Sequence, residues 1–133
     1  MSKIVIIGAG AMGSAFALPC LDNNHDINIV GTHLENDFID DLKKNDNSHP
    51  GLKTKIPKEI NIFKFEKFDE LLKSNVDLIV LGISSKGIEW VSDQICRLYK
   101  DKKAPKLLML TKGLSIYNNN YELLVDKLER LLK

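Results

Sequence analysis

Ile4, Val5, Ile6 and Ile7 follow one another with no polar position between them. An apolar run of this length fits a parallel strand covered on both faces, because a strand with one wet face would alternate. Val76 to Ile83, "VDLIVLGI", predicts a second buried strand, and shorter ones are predicted at Ile27–Gly31, Glu59–Phe63 and Lys106–Thr111. Between them the apolar positions change to helical spacing. A first helix is predicted through Met12, Ala15, Phe16 and Ala17 and ends near Asn23 and Asn24, with Pro19 inside it removing a hydrogen bond to the Ala15 carbonyl and predicting a bend. Leu34, Phe38, Ile39 and Leu42 mark the next, with Glu35 and Asp37 early and Lys43 and Lys44 late, an order that complements the helix dipole. Phe68, Leu71 and Leu72 mark a short helix, and Ile88, Val91, Ile95 and Leu98 one face of another, for which Ser84 and Ser85 are candidate caps and in which Trp90 is read as packing. Tyr121, Leu124, Val125, Leu128 and Leu131 form a final helical stripe. From Asn45 to Lys58 periodicity is lost, and "NDNSHPGLKTKIPK" reads as a long loop, either functional or a surface insertion.

Strands alternating with helices predict an α/β domain over residues 1–133, a doubly wound, mainly parallel sheet with its ligand at the carboxyl ends of the strands. Gly8, Gly10 and Gly13 stand directly after the first strand at the spacing GxGxxG. In a strand–turn–helix context each glycine has its own physical role. Gly8 permits the tight turn, Gly10 leaves room for a pyrophosphate against the backbone, and Gly13 lets helix and strand pack closely. The free N–H groups of the new helix then attract an anion without a basic side chain. This is the Rossmann-type arrangement, and it predicts a dinucleotide. At the end of the second strand, where a carboxylate would select NAD, the chain has Thr32 and His33, and the nearest acid downstream is Glu35, assigned to the helix. Thr32 can donate to a phosphate and His33 can carry charge, so NADP is favoured over NAD.

Composition narrows the alternatives. The 133 residues suffice for one domain with a real core, and 19 basic against 18 acidic residues leave a formal charge of +1, without the basic excess of a nucleic-acid-binding surface. No apolar run is long enough to span a membrane and the N-terminus enters a strand directly, so a cytoplasmic protein is expected. Cys20 and Cys96 lie far apart in predicted helices, without CxxC spacing, and are expected to be buried, reduced thiols with no metal role.

"GAGAMGSAFA", "NSHPGLKTKIP", "LGISSKGI" and "LTKGLS", in this order and at these separations, resemble the cofactor domain of the NAD(P)-dependent glycerol-3-phosphate dehydrogenases, and the "GAGAMG" and "HP" forms resemble archaeal members. The likeness covers nearly the whole chain. It implies hydride transfer between NAD(P)H and dihydroxyacetone phosphate or glycerol 3-phosphate. It implies that Ala11 and Met12 touch the pyrophosphate, that His33 lies by the adenine ribose, and that Gly82 to Ser85, Gly82 and Ser84 among them, border the nicotinamide half. It also implies that Lys112 serves both nicotinamide and the small phosphate substrate as the catalytic lysine of this turn. His49 stands where the family often has an aromatic residue, and no arginine accompanies His33; a lone loop histidine is read as exposed.

The resemblance further implies a helical substrate domain that this sequence does not contain, so the chain is expected to bind cofactor and to be inactive alone. A surface left bare by such a domain would favour self-association into a homo-oligomer. Two other readings stay open: the cofactor domain of a different two-domain reductase, such as a ketopantoate reductase or a hydroxyacid dehydrogenase, and a stand-alone NAD(P)-sensing module.

Overall fold

The computed structural model describes residues 1–133. The first apolar run becomes β1 (Lys3–Ile7), the central strand of a five-stranded sheet, and four of its five residues are buried. It is flanked by β2 (Asp26–Val30) on one side and β6 (Leu78–Leu81) on the other, with β5 (Asn61–Phe63) and β7 (Lys106–Met109) at the edges. All four pairings are parallel, Ile4 standing beside Ile27 and Leu78, and Ile7 beside Val30 and Leu81. The connections run outward from β1 in both directions, so the chain reverses its winding between β1 and β6. A crevice opens at the carboxyl ends at such a point.

Alternate residues of β1 enter different cores, which is why the run shows no polar position. Ile4 and Ile6 pack with Ile27 and Ile29 beneath α1 (Ala11–Asp22) and α2 (Asn36–Lys44), through Ala17, Ile39 and Leu42. Val5 and Ile7 pack with Ile79 and Leu81 beneath α3 (Phe68–Lys73), α4 (Ile88–Leu98) and α5 (Leu124–Leu132), through Phe68, Leu72, Val91, Ile95 and Leu128. Full burial of each valine, leucine, isoleucine or phenylalanine among them contributes roughly 1.5–3 kcal/mol. The predicted α/β class, strand positions and both apolar runs agree with this architecture.

Four expectations are corrected. The segment after α2 is not an irregular loop: it folds into a small hairpin, β3 (Ser48–His49) against β4 (Thr54–Lys55), with Asp46, Asn47 and Lys53 in the left-handed region and His49 buried. The final helix does not begin at Tyr121. Leu114–Tyr117 (β8) and Asn120–Leu123 (β9) form an antiparallel hairpin before α5, because Asn118 and Asn119 both take positive φ, the two-residue turn whose twist matches paired strands. Neither Ser84 nor Ser85 caps α4 with its side chain; a 3-10 turn, Ser85–Gly87, leads into it. Cys96 is exposed and Cys20 only half-buried, where burial raises its thiol pKa.

The β8–β9 hairpin is two-faced. Leu114 opposite Leu123 and Ile116 opposite Tyr121 put four apolar side chains into water. On its other face Arg130 of α5 lies 3.8 Å above the Tyr117 ring and 2.6 Å from the Glu122 carboxylate, holding that carboxyl below the ordinary range.

Packing around the glycine turn is tight enough to test. A β-carbon at Gly8, whose φ is +110°, would lie 2.3 Å from the Gly82 carbonyl oxygen, and one at Gly13 would lie 2.9 Å from the Gly8 oxygen. Gly8→Ala is therefore expected to destabilise the fold by about 3 kcal/mol or more and Gly13→Ala by about 1–3 kcal/mol. Gly10→Ala, which meets nothing within 4 Å, should leave the midpoint of urea unfolding nearly unchanged.

Candidate functional site

The turn between β1 and α1 is pinned from three directions. Gly8 N–H continues the sheet by donating to the Val30 carbonyl at 2.9 Å, and Gly82 N–H donates to Ile7 at 2.9 Å. Gly10 is the N-cap of α1, with no side chain to cap it, and its carbonyl accepts from Ser14 N–H at 3.0 Å. The first amides of a helix have no intrahelical partners, so α1 presents N–H groups and its positive dipole end at the carboxyl edge of the sheet.

Beside this turn lies a cleft of about 560 Å³, lined by Gly10, by Thr32, His33, Leu34 and Glu35 after β2, by Gly82, Ile83, Ser84, Lys86 and Gly87 after β6, and by Trp90 of α4. This volume is within the range of small-molecule sites. Of the sequence-predicted residues, Gly10, Thr32, His33, Gly82 and Ser84 are brought together here. Gly8 and Gly13 are buried behind them. Ala11 and Met12 open α1 as exposed residues beside the cleft rather than in its lining. Lys112 also lies outside the lining, exposed to water. The preceding residue, Thr111, donates its hydroxyl to the Ile83 carbonyl at 2.7 Å, tying the "TKG" turn to the β6 end, and Gly113 takes φ +130°.

His33 is exposed, and its ring lies 4.9 Å from Trp90 and 6.0 Å from Phe65, at one end of an aromatic cluster that includes Phe68. Trp90, read from sequence as packing alone, thus does two things: it joins this cluster and forms a wall of the cleft. Thr32 accepts through its hydroxyl from Leu34 N–H at 3.3 Å, which keeps its side chain at the rim.

Glu35 is the residue that periodicity hid. It stands at the N-cap of α2, and its side chain turns back into the cleft, where the carboxylate accepts from Thr32 N–H at 2.9 Å and from Ala9 N–H at 3.1 Å. It joins the β2 end to the glycine turn and places a negative charge in the lining. Lys86, in the 3-10 turn before α4, supplies the opposite charge from the other wall. The available signal for Glu35 was its position five residues past the end of a strand next to a glycine motif; its helical assignment concealed it.

Buried His49 is a second residue that the sequence reading misjudged. Its Nε2 lies 2.9 Å from the Ala9 carbonyl oxygen, and its Nδ1 accepts from Gly51 N–H at 3.0 Å. Ser14 Oγ also donates to Ala9 O, at 3.2 Å. The loop after α2 therefore backs directly onto the glycine turn.

No helix is long and apolar enough to cross a membrane. Comparison with known proteins gives a consistent outcome. Residues 3–133 match the family described as NAD-dependent glycerol-3-phosphate dehydrogenase N-terminus. An NADP(+)-dependent glycerol-3-phosphate dehydrogenase of Archaeoglobus fulgidus is 31% identical over 117 residues, 88% of this chain and 33% of the relative. A glycerol-3-phosphate dehydrogenase [NAD(P)+] of Staphylococcus epidermidis is 29% identical over 138 residues, 97% of this chain and 36% of the relative. The chain thus spans about a third of the length of these relatives. Among solved structures, the glycerol-3-phosphate dehydrogenase of Coxiella burnetii superposes with a TM-score of 0.76 at 20% identity, over 98% of this chain and 38% of that one, a likeness of fold. D-mandelate dehydrogenase with NADH shares the fold more distantly, with a TM-score of 0.59 at 24% identity over 98% of this chain and 35% of that one. By its glycine turn, its strand order and this match over almost all of its residues, the chain belongs to the family of N-terminal domains of the NAD-dependent glycerol-3-phosphate dehydrogenases.

Proposed function

We propose that residues 1–133 form the dinucleotide-binding domain of a glycerol-3-phosphate dehydrogenase and hold NADP or NAD across the cleft, with the pyrophosphate over the glycine turn. The observation that carries this reading is Gly10. Gly8 and Gly13 are glycines because the fold leaves no room for a β-carbon; Gly10 has an ordinary φ of −67° and an added β-carbon would meet nothing within 4 Å. Neither packing nor backbone conformation requires glycine there. A ligand that approaches the backbone does.

In this reading the amides of Ala11 and Met12 receive the pyrophosphate, Thr32, His33 and Trp90 border the adenosine end, and Gly82 and Ser84 lead toward the nicotinamide. The bound cofactor supplies or takes up the hydride. Lys112, on a turn tied to the β6 end, would meet the anionic three-carbon substrate or polarise its oxygen. Glu35 and Lys86 set opposing charges around the ribose: the carboxylate favours a free 2′-hydroxyl and the ammonium a 2′-phosphate. A cytoplasmic location agrees with two unpaired cysteines.

The sole tryptophan, Trp90, provides the test. NADH or NADPH entering the cleft should quench its fluorescence. Gly10→Val should weaken binding by more than about tenfold while the far-ultraviolet spectrum is retained; equal affinities in the two proteins would remove the phosphate-turn assignment. Cofactor choice should respond in opposite directions to two substitutions. Thr32→Asp is expected to shift the NADPH/NADH affinity ratio toward NADH by about tenfold, roughly 1.4 kcal/mol, and Glu35→Gln to shift it toward NADPH. Loss of both cofactors alike would misplace the ribose. The chain by itself is expected to bind cofactor without oxidising NAD(P)H in the presence of dihydroxyacetone phosphate, since Lys112 is exposed and makes no ion pair that would position its charge. Absorbance at the reduced-nicotinamide band measures this directly.

A further inference from the structure

His49 lies on β3, forty residues from the glycine turn in sequence and in contact with it in space. Because Nδ1 accepts from Gly51 N–H, the ring proton belongs on Nε2, which donates to the Ala9 carbonyl. Together with the Ser14 hydroxyl this bond occupies both lone pairs of a buried oxygen. The carbonyl of Ala9 and the N–H of Gly10 belong to one planar peptide, so fixing the oxygen also fixes the direction of that N–H and the entry into α1. The surroundings hold the imidazole firmly. Phe38 of α2 meets it edge-on at 5.4 Å, and Lys53 N–H returns to the His49 carbonyl at 3.1 Å. Ile56 N–H donates to Asn47 at 2.8 Å, and a β-carbon on Gly51 would come within 3.0 Å of the Ala11 side chain.

We propose that His49 is a positioning residue for the pyrophosphate site: it locks the Ala9–Gly10 peptide so that the first amides of α1 converge on the phosphates before the ligand arrives. This rests on the dinucleotide reading above and gives the loop after α2 a role within it. The arrangement is asymmetric. His49 contacts the phosphate turn and lines no part of the cleft at Thr32, Leu34 or Trp90. Removing its N–H therefore acts on ligands that carry phosphates and spares adenosine.

The experiment compares ADP with adenosine by nuclear magnetic resonance titration of the wild-type chain, His49→Phe and His49→Gln. Phenylalanine keeps the ring against Phe38 and removes both nitrogens; the glutamine carboxamide restores an N–H donor. His49→Phe is expected to weaken ADP about tenfold and adenosine less than about twofold, and His49→Gln to recover most of the ADP affinity. In wild-type protein with labelled histidine, His49 should show the Nε2–H tautomer. Its Nε2 resonance should move on adding ADP and stay in place on adding adenosine, because a phosphate on the Gly10 side polarises the peptide that the ring holds. This second measurement decides the matter even where His49→Phe does not fold. Parallel weakening of both ligands, unchanged ADP affinity in His49→Phe, or an Nε2 resonance indifferent to ADP would overturn the clamp alone. Wild-type protein that binds neither ADP nor NADH would overturn the dinucleotide reading together with it.

Discussion

Two stretches of backbone touch without side chains between them, and the site is built on that contact. A β-carbon on Gly8 would strike the Gly82 carbonyl, one on Gly13 the Gly8 carbonyl, and one on Gly82 would come within 3.0 Å of the Gly13 α-carbon. Three glycines thus let the start of α1 sit directly over the ends of β1 and β6. Any residue with a side chain there would hold the helix off the sheet, and its N-terminal amides would no longer open at the crevice where the winding reverses.

The rest of the molecule keeps that contact from relaxing. β1 is buried on both faces, its odd and even residues belonging to separate cores under separate helix layers. Close-packed cores on each side transmit strain instead of absorbing it, so the turn is held to the position that the strands dictate. Three side chains tether the surrounding loops: Glu35 to the Ala9 amide, His49 to the Ala9 carbonyl and Thr111 to the Ile83 carbonyl. A short peptide segment at the centre of the site is thereby gripped from two loops at once. Polar groups that would otherwise be orphaned in a partly buried turn are satisfied, which avoids a cost of about 1–3 kcal/mol for each.

What could be read in advance divides along a physical line. The buried strands, the amphipathic helices and the glycine turn are local: each is specified by the period of apolar residues or by a spacing within a dozen positions. Thr32 was singled out because it follows a predicted strand, where such sheets place ligands, and Gly82 and Ser84 through the family resemblance; all three line the cleft. Misjudged residues are those whose role depends on distant partners. Glu35 looks like a helical surface acid until its carboxylate is seen bonded to Ala9, and His49 looks like a solvated loop histidine until it is seen against the same residue. The hairpin before α5 is a different case. Its Asn118–Asn119 turn is a local signal, hidden because Tyr121, Leu124, Val125 and Leu128 also suit a helix.

The sequence by itself therefore determined the fold class, the succession along the chain of the five parallel strands and the five helices, the glycine spacing after the first strand and, through the quoted segments, the family. Those depend on periodicity and on the absence of β-carbons at fixed spacings, both of which are properties of short stretches. Only the tertiary structure decided which walls form one cleft, that Trp90 and Lys86 face it, that Lys112 stands outside its lining, and that the Asn45–Lys58 segment braces the glycine turn. These are contacts between residues tens of positions apart. Their energies come from burial and from hydrogen bonds whose partners are chosen by the sheet's register, and no local pattern carries that information.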